Sequence, residues 1–183
     1  SKAPNIEKPQ RAKRQEVMKG RPITGEEFER MLDKVAEVLT EPPNKRRRLP
    51  KPPPPEASDS WKHFLTGLWL SGLRLSEALQ LSWDEDDRLR VDLTGRRPMM
   101  RIPAALEKGN RDRLLPITPD FAEFLLQTPE EARTGFVFNP APRRGERTKR
   151  LGDLAVGRIV GAIGAAAGVK VHTHPTRKDE NGR

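Results

Sequence analysis

Two short stretches carry residue types that do chemistry. The first is Leu70-Ser71-Gly72-Leu73-Arg74-Leu75-Ser76-Glu77-Ala78-Leu79, where a lone arginine follows a glycine turn between an apolar segment and a short amphipathic one. A guanidinium held near a core by Gly72 can reach a phosphate through two parallel hydrogen bonds, with Glu77 one turn later to orient it. The same spacing suits a structural ion pair between Arg74 and Glu77, and these residues by themselves do not choose between the two readings. The second stretch is Glu107-Lys108-Gly109-Asn110-Arg111-Asp112-Arg113-Leu114-Leu115-Pro116, a hairpin turn that pushes Lys108 out between two strands. A mobile ammonium suits proton delivery to a leaving oxygen, while a Lys-Gly-Asn turn is also a common solvated hairpin.

Weaker constellations are read as structural. Asp84, Glu85, Asp86 and Asp87 have oxygens suited to a hard cation, but a solvated turn accounts for them. His172 and His174 alternate like a metal pair without a third ligand. Gly20 to Gly25 has the glycine spacing of a phosphate loop but lacks its Lys-Ser/Thr ending. The chain has no cysteine, which excludes disulfides, thiolate nucleophiles and Cys-ligated zinc. No metal and no cofactor is expected.

These stretches must be positioned by the elements around them. Thr24-Gly25-Glu26-Glu27 has the form of a capping box, and Phe28, Met31, Leu32, Val35 and Leu39 follow at helical spacing, so a helix is expected over 25–39. Glu41-Pro42-Pro43 stops it, and 42–57, with Lys45, Arg46, Arg47 and Arg48 ahead of Pro50 and Pro52 to Pro55, reads as an extended insertion loop. Its basic run mimics a nuclear localisation signal, but a solvated loop that brushes a phosphate backbone is preferred. Asp59 or Ser60 is expected to cap a second helix with Trp61, Phe64, Leu65, Leu68 and Trp69 as its apolar stripe, ending near Gly72.

Three strand-like runs follow, at 89–93, 99–103 and 111–117, and predict a small antiparallel sheet. Thr118-Pro119-Asp120 starts a helix whose buried side holds Phe121, Phe124 and Leu125. Thr128-Pro129 repeats the signal for a turn or so to about Ala132, Phe136-Val137-Phe138 is strand-like, and Asn139-Pro140 breaks it. The pattern is helical again over 149–167, where Gly157, Gly161 and Gly164 would permit close packing; Arg158 and the short apolar length argue against a membrane dimer face. The expected fold is α+β, mostly helical, with a three-stranded antiparallel sheet over residues 22–183, preceded by a basic linker or arm at 1–21.

Ser71-Gly72-Leu73-Arg74-Leu75-Ser76-Glu77, with Leu81-Ser82-Trp83-Asp84 close behind, and then Lys108-Gly109-Asn110-Arg111-Asp112-Arg113-Leu114-Leu115-Pro116, resemble the tyrosine recombinase family of the phage integrase type. The catalytic domain of that family begins with a helix like Ile23-Thr24-Gly25-Glu26-Glu27-Phe28, and the resemblance runs through most of the chain. It implies metal-free strand cleavage: an arginine pocket stabilises charge on the scissile phosphate while a tyrosine attacks and leaves a 3′-phosphotyrosyl link. By that resemblance Arg74 is the first phosphate-binding arginine, Glu77 supports the site and Lys108 is the general acid for the leaving 5′-oxygen. Arg111, Arg113, Arg46, Arg47 and Arg48 are the expected DNA-binding residues.

The family also needs a later His-x-x-Arg box and the nucleophilic tyrosine, and the chain has no tyrosine. His174-Pro175-Thr176-Arg177 matches the box literally, but Lys178-Asp179-Glu180-Asn181-Gly182 follows where the family has an apolar helix, so it reads as a decoy. The chain is therefore expected to be the N-terminal part of the catalytic domain, inactive alone. The alternative is a non-catalytic nucleic-acid-binding or regulatory module with the same fold.

Charge agrees with a polyanionic partner. Among 183 residues, 35 Lys and Arg outnumber 26 Asp and Glu, a net charge of +9, and each phosphate neutralised by Lys or Arg releases condensed counterions. Double-stranded DNA is the expected partner, with self-association on DNA in the whole protein. No apolar run reaches the roughly 18 residues that cross a bilayer and no signal core follows the basic N-terminus, so a soluble, cytoplasmic protein without a membrane partner is expected.

Overall fold

The computed structural model describes residues 21–43, 46, 48–106, 110–142 and 150–171. It is α+β, with helices α1 (Gly25–Leu39), α2 (Pro55–Ser71), α3 (Leu75–Gln80), α4 (Pro119–Leu126) and α5 (Asp153–Ala166) around a sheet of β1 (Arg90–Asp92), β2 (Met99–Ile102) and β3 (Arg113–Pro116). The sheet is antiparallel in the order β1-β2-β3, with Val91 opposite Met100 and Met100 opposite Leu115. Among the described residues, no helix is long and apolar enough to cross a membrane.

α1 starts as its sequence demands. Thr24 accepts the Glu27 N–H at 3.2 Å, and the Glu27 carboxylate accepts the Thr24 N–H at 2.9 Å, so two of the orphan donors of the first turn are satisfied reciprocally. Phe28, Met31, Val35 and Leu39 then fall on one buried stripe. Arg21 forks onto Glu27 at 2.8 and 2.5 Å, and its backbone N–H reaches the Val171 carbonyl at 2.9 Å, which ties the entry of the chain to the segment after α5.

Beyond α1, Glu41 and Lys51 exchange backbone hydrogen bonds of 2.9 and 3.0 Å and close the base of the proline-rich loop. α2 begins at Pro55, not after Asp59 or Ser60. Pro54 is the cap and Pro55 the first helical residue, a position where a missing N–H costs nothing and the fixed φ suits the helix. Ser60 lies inside the helix and accepts the Ala141 N–H at 3.0 Å, beside Trp61, whose indole N–H donates to the Ala141 carbonyl at 2.8 Å. At the far end Gly72 takes φ 64°, the left-handed conformation that turns the chain out of α2.

Residues 136–138 do not form a strand. Leu81 to Trp83 bond to two segments at once: the Val137 and Trp83 N–H groups pair Leu81 with Val137 and Trp83 with Gly135, while Ser82 bonds Leu89 and Val91. Each partner receives only a single bridge at Ser82. The 128–132 stretch is a 3-10 turn at Glu130–Ala132, and a further 3-10 turn, Ala104–Leu106, follows β2. α5 starts at Asp153, four residues later than its pattern suggested, with Gly152 as cap.

Trp61, Phe64, Phe121, Phe138, Leu79, Leu81 and Ile163 are fully buried. The Phe138 ring meets Phe64 at 5.8 Å and Phe124 at 6.5 Å between centroids, within the range of favourable edge and offset contacts. Close packing at glycine occurs at Gly67, where a Cβ would stand 2.1 Å from the Phe138 ring. Gly157, Gly161 and Gly164, the expected sites of close approach, have nothing within 4 Å of such a Cβ.

Candidate functional site

Gly72 and Leu73 deliver Arg74 to the cap position of α3, the shortest α-helix described, six residues long. Glu77 accepts the Arg74 backbone N–H at 2.8 Å and its guanidinium at 3.0 Å. Both bonds favour the charged carboxylate, the backbone one most, and hold Glu77 below the usual carboxylate range. The Arg74 side chain is 84% exposed, so Gly72 does not hold it near the core. The ion pair forms, and it leaves the guanidinium facing solvent with donors to spare.

Arg74 and Glu77 from α3 and Arg113 from β3 line an open groove of about 490 Å³ between α3 and the sheet. Met100, Ile102 and Leu115 line it from the sheet, because β-strand side chains alternate and this set shares one face. Two guanidiniums line a groove with apolar walls, and the exposed Arg74 has donors to offer an anion such as a phosphodiester. Neither can act as a base, since arginine stays protonated.

Lys108 and Arg47 lie outside the described residues, as do His172, His174 and the His174-Pro175-Thr176-Arg177 sequence. Arg111 is exposed just before β3 but does not line the groove, and Arg46 and Arg48 are exposed on the proline-rich loop apart from it. The connection from β2 to β3 is organised by Asp112, which accepts the Ala104 N–H at 2.9 Å and pairs with Arg101. These bonds, that to Arg101 first, lower the Asp112 pKa. Next to the undescribed stretch, Asn110 takes φ 47°, the left-handed conformation its side chain tolerates.

The acidic run is an exposed turn, as expected, and it also supplies counter-charges. Arg90 and Arg101 sit directly opposite each other across β1 and β2, a repulsive arrangement, and Asp86 approaches both, at 2.6 and 3.7 Å. Asp84 accepts the Gly135 N–H at 2.9 Å, and Glu85 pairs with Arg88. Among the described residues, no group of three or more His, Cys, Asp or Glu is placed to hold a metal. His63 is half-buried and stacks on Phe124 at 4.6 Å, and this burial lowers its pKa.

Sequence reasoning missed Arg96 and Arg97, both exposed in the turn between β1 and β2; their signal is two adjacent arginines after Thr94-Gly95. It also missed Arg150, whose guanidinium donates to the Leu79 carbonyl at the end of α3 and to the Phe138 carbonyl at 3.0 Å. Nothing in its local pattern announces either contact. No family model, no curated protein and no solved structure matches this chain.

Proposed function

We propose that the chain is part of the catalytic domain of a tyrosine recombinase of the phage integrase type, a cytoplasmic DNA-binding protein that grips double-stranded DNA by its backbone. What supports this reading is that Arg74, paired with Glu77 and 84% exposed, lines one groove together with Arg113, with the two motifs in the order the family has them. Arg74 binds the scissile phosphate and stabilises the charge that develops on it, Glu77 supports Arg74, and Lys108 supplies the proton to the leaving 5′-oxygen. Arg111, Arg113 and the arginines at 46–48 neutralise flanking phosphates. The chain has no tyrosine, so the nucleophile comes from outside these 183 residues, and the protein self-associates on DNA when whole.

The test is binding of a short DNA duplex across a salt series. Wild type should bind with a steep salt dependence, and Arg74→Ala and Arg113→Ala should each lower the slope by about one. Binding that ignores both substitutions would refute the groove as a phosphate site. The second reading, a regulatory module with the same fold and no chemistry, is favoured by the missing tyrosine. It shares the DNA binding and differs in forming no covalent adduct.

A further inference from the structure

α3 is too short to hold itself in place, since six residues make fewer than two turns. Its start is fixed by Arg74 and Glu77. Its end is fixed from outside by two arginines that converge on one ring: the Arg150 guanidinium lies 3.5 Å and that of Arg88 4.9 Å from the Phe136 centroid. Arg150 donates to the Leu79 carbonyl, one of the last carbonyls of α3, and to the Phe138 carbonyl at 3.0 Å. Arg88 donates to the Gln80 side chain at 2.7 Å and is balanced by Glu85.

This arrangement has a cost that packing alone does not explain. Two like charges share a ring, and the Arg150 Nε is buried with no hydrogen-bond partner among the described residues. Burial and the neighbouring Arg88 both lower the Arg150 pKa. Orphan carbonyls at a helix end attract a cation, and only a guanidinium reaches two carbonyls while lying flat on an aromatic face.

We infer that Arg150, stacked on Phe136 beside Arg88, is a positioning residue that clamps the end of α3 and thereby fixes Arg74 at the groove. This rests on the reading of Arg74 as a phosphate contact, roughly 9 Å along the helix at 1.5 Å per residue. Arg150 itself touches no DNA.

The experiment uses the whole 183-residue chain, with Arg150→Met, Arg150→Lys and Arg88→Gln, and reads amide hydrogen exchange together with binding to a short DNA duplex across a salt series. In Arg150→Met, exchange at Ala78, whose N–H bonds the Arg74 carbonyl at 2.9 Å, should accelerate about tenfold while α1 and α2 hold theirs. Arg150→Lys, which keeps the charge but not the fork, should fall between, and Arg88→Gln gives a milder variant if Arg150→Met fails to fold. Arg150→Met should lower the salt slope as much as Arg74→Ala, and the double variant no further. Unchanged exchange at Ala78 overturns the clamp. Additive loss in the double variant overturns it too, because Arg150 would then contact DNA directly. Faster exchange with DNA binding untouched by either arginine supports the clamp and overturns the Arg74 phosphate reading, which separates the two failures.

Discussion

The Glu77 carboxylate spans the backbone N–H and the guanidinium of Arg74, at 2.8 and 3.0 Å, so one side chain caps α3 and aims its arginine. The pair is exposed, so the ionic part contributes about 1 kcal/mol or less, and the cap about as much again. Glu77→Ala should therefore cost on the order of 1–2 kcal/mol in urea unfolding. Glu77→Gln, which still accepts the backbone N–H, should cost less. If both variants unfold like wild type, Glu77 does not anchor α3.

The depressed pKa of Glu77 sets the sign of its pH dependence. Its contribution is complete above the unfolded-state carboxylate value and is lost as pH falls through the lower folded value. DNA affinity through Arg74 should be flat around neutrality on this account. A midpoint near pH 7 in the Arg74-dependent part of binding would point to another titrating group.

Glu27 makes a stronger pH prediction. The fork of Arg21, followed by the Thr24 N–H, lowers its pKa from 4.5 to about 2. Unfolded chains bind this proton near 4.5, so the stabilisation is full above that pH and disappears between there and about 2. Acid unfolding of Glu27→Gln should be less steep across that window than that of wild type. Equal steepness would mean that Glu27 is not the group that titrates.

Glycines in two places should respond oppositely to alanine. Gly67→Ala drives a methyl into the buried Phe138 ring, an overpacking that costs about 1–3 kcal/mol or more. Gly157→Ala and Gly161→Ala meet open space on a helix, where alanine is favoured by roughly 0.8–1 kcal/mol. Thermal denaturation of the three variants checks the contrast, and a neutral Gly67→Ala would contradict the packing at Phe138.

Much of the fold is legible because its signals are local. Thr24 with Glu27, Thr118 before Pro119, Gly72 at the end of α2 and the alternation of β1 to β3 each act over a few residues, and the structure has an element at each. The start of α2 is hidden in the sequence because a proline run suggests extended chain, although Pro55 favours a first helical turn. Residues 136–138 carry strand-forming side chains, but their partner segment is shared with β1, so no ladder develops. The glycine that matters, Gly67, is marked only by a ring 71 positions away. For the site, the Arg74–Glu77 spacing was readable as an ion pair. The meeting of Arg74 and Arg113 at one groove, the role of Arg150 and the pairing of the acidic run depend on strand register and tertiary packing, which no window of sequence contains.

The most direct measurement takes the complete gene product to a nicked DNA duplex that traps strand cleavage and looks for a covalent protein–DNA adduct, in wild type, Arg74→Ala and Lys108→Ala. The account predicts an adduct in wild type that disappears in Arg74→Ala while much of the DNA affinity survives, because other Lys and Arg still release counterions. An adduct that persists in Arg74→Ala, or tight salt-sensitive binding with no adduct in wild type, would contradict it.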